Sequence, residues 1–104
     1  MAVEKWSDSV VVVRLGDDPQ FTEDLAGLPP GFDAVLDFGA VNFINSSNIA
    51  RLLKLRTQYQ RSGGRLLLCN ISTQVWGVFL ITGLDKLFDF SDNVTTALAT
   101  LQMA

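Results

Sequence analysis

Three short and almost continuously apolar runs constrain the fold more than any other feature of this sequence. They are Val10 to Leu15, Asp33 to Phe38 and Arg65 to Asn70. Each run is too short for a typical helix and too apolar for a strand with one face in water, so each predicts a strand covered on both faces. Such strands are typical of parallel sheets with helices packed on them.

The segments between these runs carry helix signals. Four helices are predicted, over Phe21 to Leu28, Ile49 to Arg61, Thr73 to Ile81 and from Asp92 onward, and Lys86 to Phe90 predicts a short fourth strand. The alternation predicts an α/β fold, a small, mainly parallel (mixed) sheet of about four to five strands packed with four helices. A chain of 104 residues has the size of one domain, so residues 1–104 are expected to form a single domain.

The amino-acid inventory excludes several classes of site. The chain has no histidine and one cysteine, which rules out a Ser-His-Asp relay, a Cys-His pair, an imidazole metal site, a zinc site and an internal disulfide. The sequence also has no glycine-rich loop that could cradle phosphates. We therefore expect a protein that is not an enzyme and that uses no metal or cofactor. Cys69, at the end of an apolar strand, is expected to be a small core residue.

The sequence carries neither a membrane-segment pattern nor a secretion-signal pattern. The mean hydropathy is +0.27, but the longest apolar runs, Val10 to Val13 and Val78 to Ile81, are far shorter than the roughly 20 residues of a spanning helix. The N-terminus has no basic start followed by an apolar stretch. These features predict a cytoplasmic protein without direct membrane insertion.

Charge is distributed unevenly along the chain. Residues 1–45 contain two basic and eight acidic side chains, whereas residues 46–76 contain five basic side chains and no acidic one. The basic segment is either a docking surface for an acidic partner or phosphate, or the solvated face of one helix. Nucleic-acid binding is not expected, because the net charge is −3 and Tyr59 is the only aromatic residue between Arg51 and Arg65.

The most polar junction between a predicted strand and helix is Asn45-Ser46-Ser47-Asn48. In parallel sheets, function collects at the carboxyl ends of strands, where loops lead into helix N-termini. Free backbone N–H groups and the helix dipole favour an anion there, so a serine in the first turn is a natural phosphate acceptor. The alternative is simple capping of the helix, since serine and asparagine are common N-cap residues.

A longer stretch, from Phe32 to Phe90, resembles the STAS family, the sulfate-transporter and anti-sigma-factor-antagonist domain. The matching segments are Ala34 to Ile44 leading into Asn45-Ser46-Ser47, Leu52-Leu53, Gly63-Gly64-Arg65-Leu66, Asn70-Ile71-Ser72 and Thr82 to Phe88. They follow the family's order and spacing. The resemblance implies a STAS-like fold, with a partner surface around the helix that starts at the serine pair.

In the anti-sigma-factor antagonists of this family, the partner kinase phosphorylates the second serine of the pair. The resemblance implies the same for this chain. That position is Ser47 here, with Ser46 as the alternate. Two neighbours depart from the family pattern, because Asn45 replaces an aspartate and Asn48 replaces a glycine. Asp37 matches an acidic residue at the end of the preceding strand.

Active antagonists also tend to have an acidic residue near the phosphosite, in the loop that contains Asp17 and Asp18 here. The sequence leaves open which of the two it is.

The resemblance implies an anti-sigma-factor antagonist that regulates transcription by partner switching. Its partners would be an anti-sigma factor serine kinase and a PP2C-type phosphatase. Arg51 and Lys54 would belong to the partner surface. The alternative is a non-phosphorylated STAS subunit of a larger assembly, such as a lipid-transporting ABC system or a stress-sensing scaffold.

A second candidate surface lies on the helix after Thr73. Trp76 and Leu80 fall at i and i+4, on a different flank from Val75 and Phe79. If they are exposed, they predict a partner or homodimer contact. The alternative is a helix buried nearly all round.

Overall fold

The computed structural model describes residues 3–103, which form one five-stranded sheet with four α-helices. The strands are β1 (Val3–Lys5), β2 (Val10–Gly16), β3 (Asp33–Ala40), β4 (Leu66–Cys69) and β5 (Asp89–Ser91). The helices are α1 (Gln20–Ala26), α2 (Ser46–Ser62), α3 (Thr73–Thr82) and α4 (Val94–Gln102). The spatial strand order is β1-β2-β3-β4-β5, with β1 antiparallel to β2 and the other three pairings parallel. The predicted α/β class with a mixed sheet is confirmed.

Several element boundaries differ from the sequence prediction. The predicted strand Lys86 to Phe90 is wrong in its first half, because Leu84–Lys86 forms a 3₁₀ turn and β5 begins only at Asp89. Helix α2 begins at Ser46 rather than Ile49, whereas α3 begins at Thr73 as predicted, with Ser72 as its N-cap. Strand β1 was not predicted, because three residues that are half-buried or exposed give no apolar pattern.

The larger core lies on the sheet face that packs against α1, α2 and α3. Phe38, on the central strand β3, is fully buried and makes edge-to-face contacts with Phe21 of α1 and Phe79 of α3. Leu52, Leu55 and Tyr59 bring α2 onto the same core. The inward face of α2 is therefore fixed, and its opposite face lies in solvent.

The other sheet face is covered by one helix, α4. Ala97 and Leu101 pack there against β2, β3 and β4, in a smaller cluster that includes Cys69. The Cys69 side chain is fully buried, as predicted, and burial raises the pKa of its thiol to about 12. The thiol therefore stays protonated at neutral pH and acts as a small apolar side chain.

Among the helices described for residues 3–103, none combines the length and the hydropathy that crossing a bilayer requires.

Truncation of Phe38 tests the central position of this side chain. We expect Phe38→Ala to lower the free energy of unfolding by about 3–5 kcal/mol, because it removes a buried ring and leaves a cavity between three elements. Phe43→Ala is the matched control, since Phe43 is 61% exposed and the same change should cost less than about 1 kcal/mol. Urea denaturation of both variants measures the difference, and equal losses would contradict the central role of Phe38.

Candidate functional site

Two loops meet at the N-terminus of α2. One follows β2 and contains Asp17 and Asp18, and the other follows β3 and contains Asn42 and Asn45. They are neighbours because β2 and β3 are parallel and pair from Val10 with Asp33 to Arg14 with Asp37 and, after a register shift, at Gly16 with Ala40. The Asp17 carboxylate accepts hydrogen bonds from the backbone N–H and the side-chain amide of Asn42, both at 2.9 Å. This pair fixes one loop against the other.

Asn45 and Asn48 cap α2 reciprocally. The Asn45 side-chain oxygen accepts a hydrogen bond from the Asn48 backbone N–H at 2.9 Å, and the Asn48 side-chain oxygen accepts one from the Asn45 backbone N–H at 3.1 Å. This is a capping box in which asparagine stands where glutamate or glutamine is usual. Asn48 is 2% exposed, so its side chain is a structural part of the helix start.

The amide groups of the same two asparagines point at one carboxylate. Asn45 Nδ2 and Asn48 Nδ2 both donate to Oδ2 of Asp18, at 3.1 and 2.9 Å. The other oxygen of Asp18 accepts from the Thr22 hydroxyl at 2.9 Å and from the Thr22 backbone N–H at 3.3 Å. Asp18 therefore connects the first turn of α1 with the first turn of α2. We call Asp18, Asn45 and Asn48 the capping triad.

Hydrogen bonds keep both loop carboxylates ionised. The pKa of Asp18 is lowered from its ordinary value of 3.8, mainly by the hydrogen bond from the Asn48 side chain. The pKa of Asp17 is lowered mainly by the side-chain hydrogen bond from Asn42. The acidic side chain that contacts the start of α2 is thus Asp18, and Asp17 contacts Asn42. The sequence offered no signal to choose between them, because the choice depends on how the two loops meet.

The predicted phosphate-acceptor serines lie in the first turn of α2, next to the capping triad. Asn45 is the N-cap residue, so Ser46 and Ser47 occupy the first two helical positions, and both are exposed. Within residues 3–103, neither hydroxyl forms a hydrogen bond and neither backbone N–H has an acceptor. Free N–H groups and the helix dipole make this turn favourable for an anion.

Asp37 lies in a different cluster from the serines, which corrects its predicted place around the phosphosite. Its side chain alternates with the core residues Leu36 and Phe38, so it projects from the sheet face opposite α2. One oxygen of Asp37 accepts from the Gly39 backbone N–H at 2.8 Å and from the Asn70 side chain at 3.0 Å. Asp37 therefore ties the carboxyl ends of β3 and β4 together.

The basic segment does not form one continuous surface. Arg56 donates from Nε to the backbone carbonyl of Leu87 at 2.8 Å, and Arg65 is half-buried and reaches the Thr100 carbonyl at 3.5 Å. Arg51 and Lys54 are exposed on α2 and form no ion pair within the described chain. These two cations follow Ser47 by four and seven residues, so they lie one and two turns further along the same side of the helix.

Trp76 is not an exposed residue, which corrects that part of the predicted second surface. It is half-buried and packs with Phe79 and Phe90, with ring centroids 6.4 and 5.1 Å away. The helical spacing gave no sign of this contact, because Phe90 comes from β5. Leu80 does lie in solvent, 52% exposed, beside Ile81 at 88%. A partner or homodimer contact at Leu80 stays a prediction.

Asp18→Asn tests the charge of the capping triad. Because folding lowers the pKa of Asp18, its ionised carboxylate stabilises the folded state above pH 3.8, and this stabilisation disappears as the pH falls through the folded-state pKa. We expect the variant to be less stable than the wild type at pH 7 and the gap to shrink below pH 3.8. Asp89→Asn is the matched control, since Asp89 is exposed and its side chain forms no hydrogen bond within residues 3–103. Denaturant unfolding at several pH values gives both comparisons, and a gap that does not change with pH would contradict the assignment.

Asn45→Asp tests whether the neutral N-cap is matched to Asp18. Aspartate and asparagine cap helices about equally well, but an aspartate here would place two ionised carboxylates about 3.1 Å apart. We expect Asn45→Asp to lower stability at pH 7 and the double variant Asn45→Asp/Asp18→Asn to recover most of the loss. Thermal unfolding at low and high salt measures the loss of stability and its recovery. Equal losses in the single and double variants would show that the charge of Asp18 is irrelevant.

Comparison with known proteins gives the family. The family model of the STAS domain matches residues 33–97. A search of curated proteins returns no match. The anti-sigma factor antagonist SpoIIAA in its unphosphorylated form has a TM-score of 0.81 at 21% identity, covering 98% of this chain and 96% of that one.

Two further solved structures share this fold. An anti-sigma-factor antagonist (STAS) domain protein from Planctomyces limnophilus has a TM-score of 0.76 at 16% identity, covering 96% of each chain. A sulfate transporter family protein from Wolinella succinogenes has a TM-score of 0.77 at 17% identity, covering 96% of this chain and 90% of that one. Identities this low show the shared fold alone. The family model, however, matches more than half of the sequence, and the chain belongs to the STAS domain family.

Proposed function

We propose that this protein is an anti-sigma-factor antagonist that acts by phosphorylation-controlled protein binding. Ser47 is the phosphate acceptor, the kinase is an anti-sigma factor serine kinase, and a PP2C-type phosphatase removes the phosphate. The chain itself performs no chemistry. ATP, magnesium and the catalytic base belong to the kinase.

One observation carries the proposal. Ser47 is exposed in the first turn of a helix whose start is fixed by the capping triad. A fixed and accessible hydroxyl presents one geometry to a kinase. A phosphate at this position adds a charge of about −1.5 to −2 at the stabilising end of the helix dipole. Phosphorylation can therefore change the surface without unfolding α2.

The charges around Ser47 suggest how such a phosphate would act. Unphosphorylated, the exposed side of α2 displays Arg51 and Lys54 without ion-pair partners in the described chain. A phosphate on Ser47 would lie one turn from Arg51 and offset the two positive charges. It would also place a strongly hydrated anion in any interface formed by this turn, which is costly to desolvate. Both effects weaken binding of an acidic partner surface.

The two departures from the family pattern are compatible with this function. Asn48 supplies a side chain where the pattern has glycine, but that side chain is directed into the capping box and does not cover the serine hydroxyls. Asn45 lacks the charge of the family's aspartate, and Asp18 supplies a carboxylate 3.1 Å from its amide. The start of α2 therefore keeps one negative charge close by, on the neighbouring loop.

Phosphorylation of the purified chain tests the proposal. Incubated with ATP, magnesium and the anti-sigma kinases of its source organism, the wild type should gain one phosphate by intact mass, and peptide mapping should place it on Ser47. Ser47→Ala should abolish the added mass. Ser46→Ala is the matched control and should retain it, because its hydroxyl is the neighbouring one in the same exposed turn.

Phosphate on Ser46 alone would reassign the acceptor. No phosphate with any of these kinases would reject the switch. A phosphorylated chain should bind the kinase partner about 5- to 150-fold more weakly than the unphosphorylated chain, the usual range of such couplings.

A second candidate function is a constitutively binding STAS subunit of a larger assembly. The structural similarity to a sulfate transporter family protein supports it, and so does the capping triad, which stabilises the helix start without any phosphate. A stable complex with another protein that is unaffected by Ser47→Glu, together with failure of every kinase, would favour this function.

A further inference from the structure

A groove of about 530 Å³ runs along one flank of α2 and begins at Arg51, one turn beyond Ser47. Its walls are α2, the C-terminal end of α1 and the loop 27–32. This volume lies within the range of small-molecule sites in proteins, about 300–1,000 Å³. The groove is separate from the capping triad, since none of those three residues lines it.

Charge is confined to one end of the groove. Arg51 and Lys54 are the only charged side chains among its lining residues, and neither forms an ion pair within residues 3–103. Three residues apart on a helix, they lie side by side. An arginine fork next to an ammonium group suits a carboxylate or phosphate.

Apolar side chains form the floor of the groove, and Gln58 and Ser62 add polar groups to its walls. Leu25 and Leu55 are nearly completely buried beneath it, and Leu28 and Phe32 are half-buried beside them. Tyr59 lies two turns along α2 from Arg51, toward the far end of the groove. The eight residue steps from Arg51 to Tyr59 span about 12 Å, at a rise of 1.5 Å per residue. The groove therefore offers a cationic end and an apolar floor of that length between partly polar walls.

Tyr59 carries a buried polar group without a partner, and it lines a second, smaller cavity as well as the groove. Its side chain is 9% exposed, and its hydroxyl is buried without any hydrogen-bond partner in the described chain. Burial and the neighbouring Asp33 carboxylate raise its pKa to about 12, so it remains a donor at neutral pH. A buried donor without an acceptor is costly, and because an alkyl chain cannot accept a hydrogen bond, a water molecule at the end of a bound chain would have to satisfy it.

We propose that this groove binds an amphipathic anion, a carboxylate or phosphate head on an apolar chain. The head lies between Arg51 and Lys54, and the chain lies over Leu25 and Leu55 toward Tyr59. The two possible sources, a free fatty carboxylate and a phosphate ester, share this chemistry and are separated by the experiment below.

The test is a titration of the full chain with decanoate and, separately, decyl phosphate, each below its micelle concentration. We expect backbone amide shifts to concentrate in residues 25–32 and 51–62, with saturable binding by calorimetry. Decanol, which has the same chain without charge, should bind at least about tenfold more weakly, since a charge-assisted hydrogen bond is worth that factor or more. The tighter of the two anions identifies the head group.

Variants distinguish anion binding in the groove from nonspecific attraction to positive charge elsewhere on the surface. Arg51→Gln/Lys54→Gln should weaken decanoate binding at least about tenfold. Arg61→Gln/Lys86→Gln is the matched control, because it removes the same charge from exposed residues that do not line the groove. Ala26→Phe should fill the groove and abolish binding while leaving both cations in place. Amide spectra of each variant check that it is folded.

The proposal is overturned if neither anion binds, if the shifts lie elsewhere, or if decanol binds as tightly as decanoate. Equal affinities of the two double variants would also overturn it. All these measurements use the chain alone. They are made on the unphosphorylated chain without kinase or partner, so a failure here is distinguishable from a failure of the proposed function.

Discussion

The parallel pairing of β2 with β3 is the interaction on which the candidate site depends. It places the carboxyl ends of two central strands side by side, so the loop after β2 meets the loop after β3. Asp18 and Asn45 are 27 residues apart in the chain and are joined at 3.1 Å only because of this register. The buried side chains of the two strands hold the register, since a slip of one residue would turn them to the wrong face.

Helix α2 combines three environments in one element. Its first turn carries the exposed serines, its inward face packs on the core through Leu52 and Leu55, and one flank forms the wall of the groove. Contacts hold it along its length, at the capping triad, at the bond from Arg56 to the Leu87 carbonyl and at Gly63, whose left-handed conformation ends the helix. A molecule that contacts α2 therefore meets a surface that is already ordered, and little conformational entropy is lost on binding.

The strands buried on both faces could be predicted from the sequence because their apolar runs allow little else, as Leu66 to Cys69 illustrates. The predicted helices followed from spacing, caps and C-terminal glycines. Strand β1 and the 3₁₀ turn before β5 could not be predicted, since short, partly exposed elements depend on pairing with distant residues. At the site, the sequence predicted that Ser46 and Ser47 lie at the start of a helix. It did not distinguish Asp18 from Asp17 or place Trp76 against Phe90, because both contacts join segments far apart in the chain.

The capping triad also constrains how this sequence can change over evolutionary time. Each amide of Asn45 and Asn48 satisfies the other residue's backbone and the Asp18 carboxylate, so replacing one member leaves its two partners incompletely bonded. A lineage that exchanges this arrangement for an aspartate and a glycine at positions 45 and 48 must pass through a less stable intermediate, or change residue 18 first. The three positions, drawn from two loops and a helix, are therefore expected to vary together among close relatives.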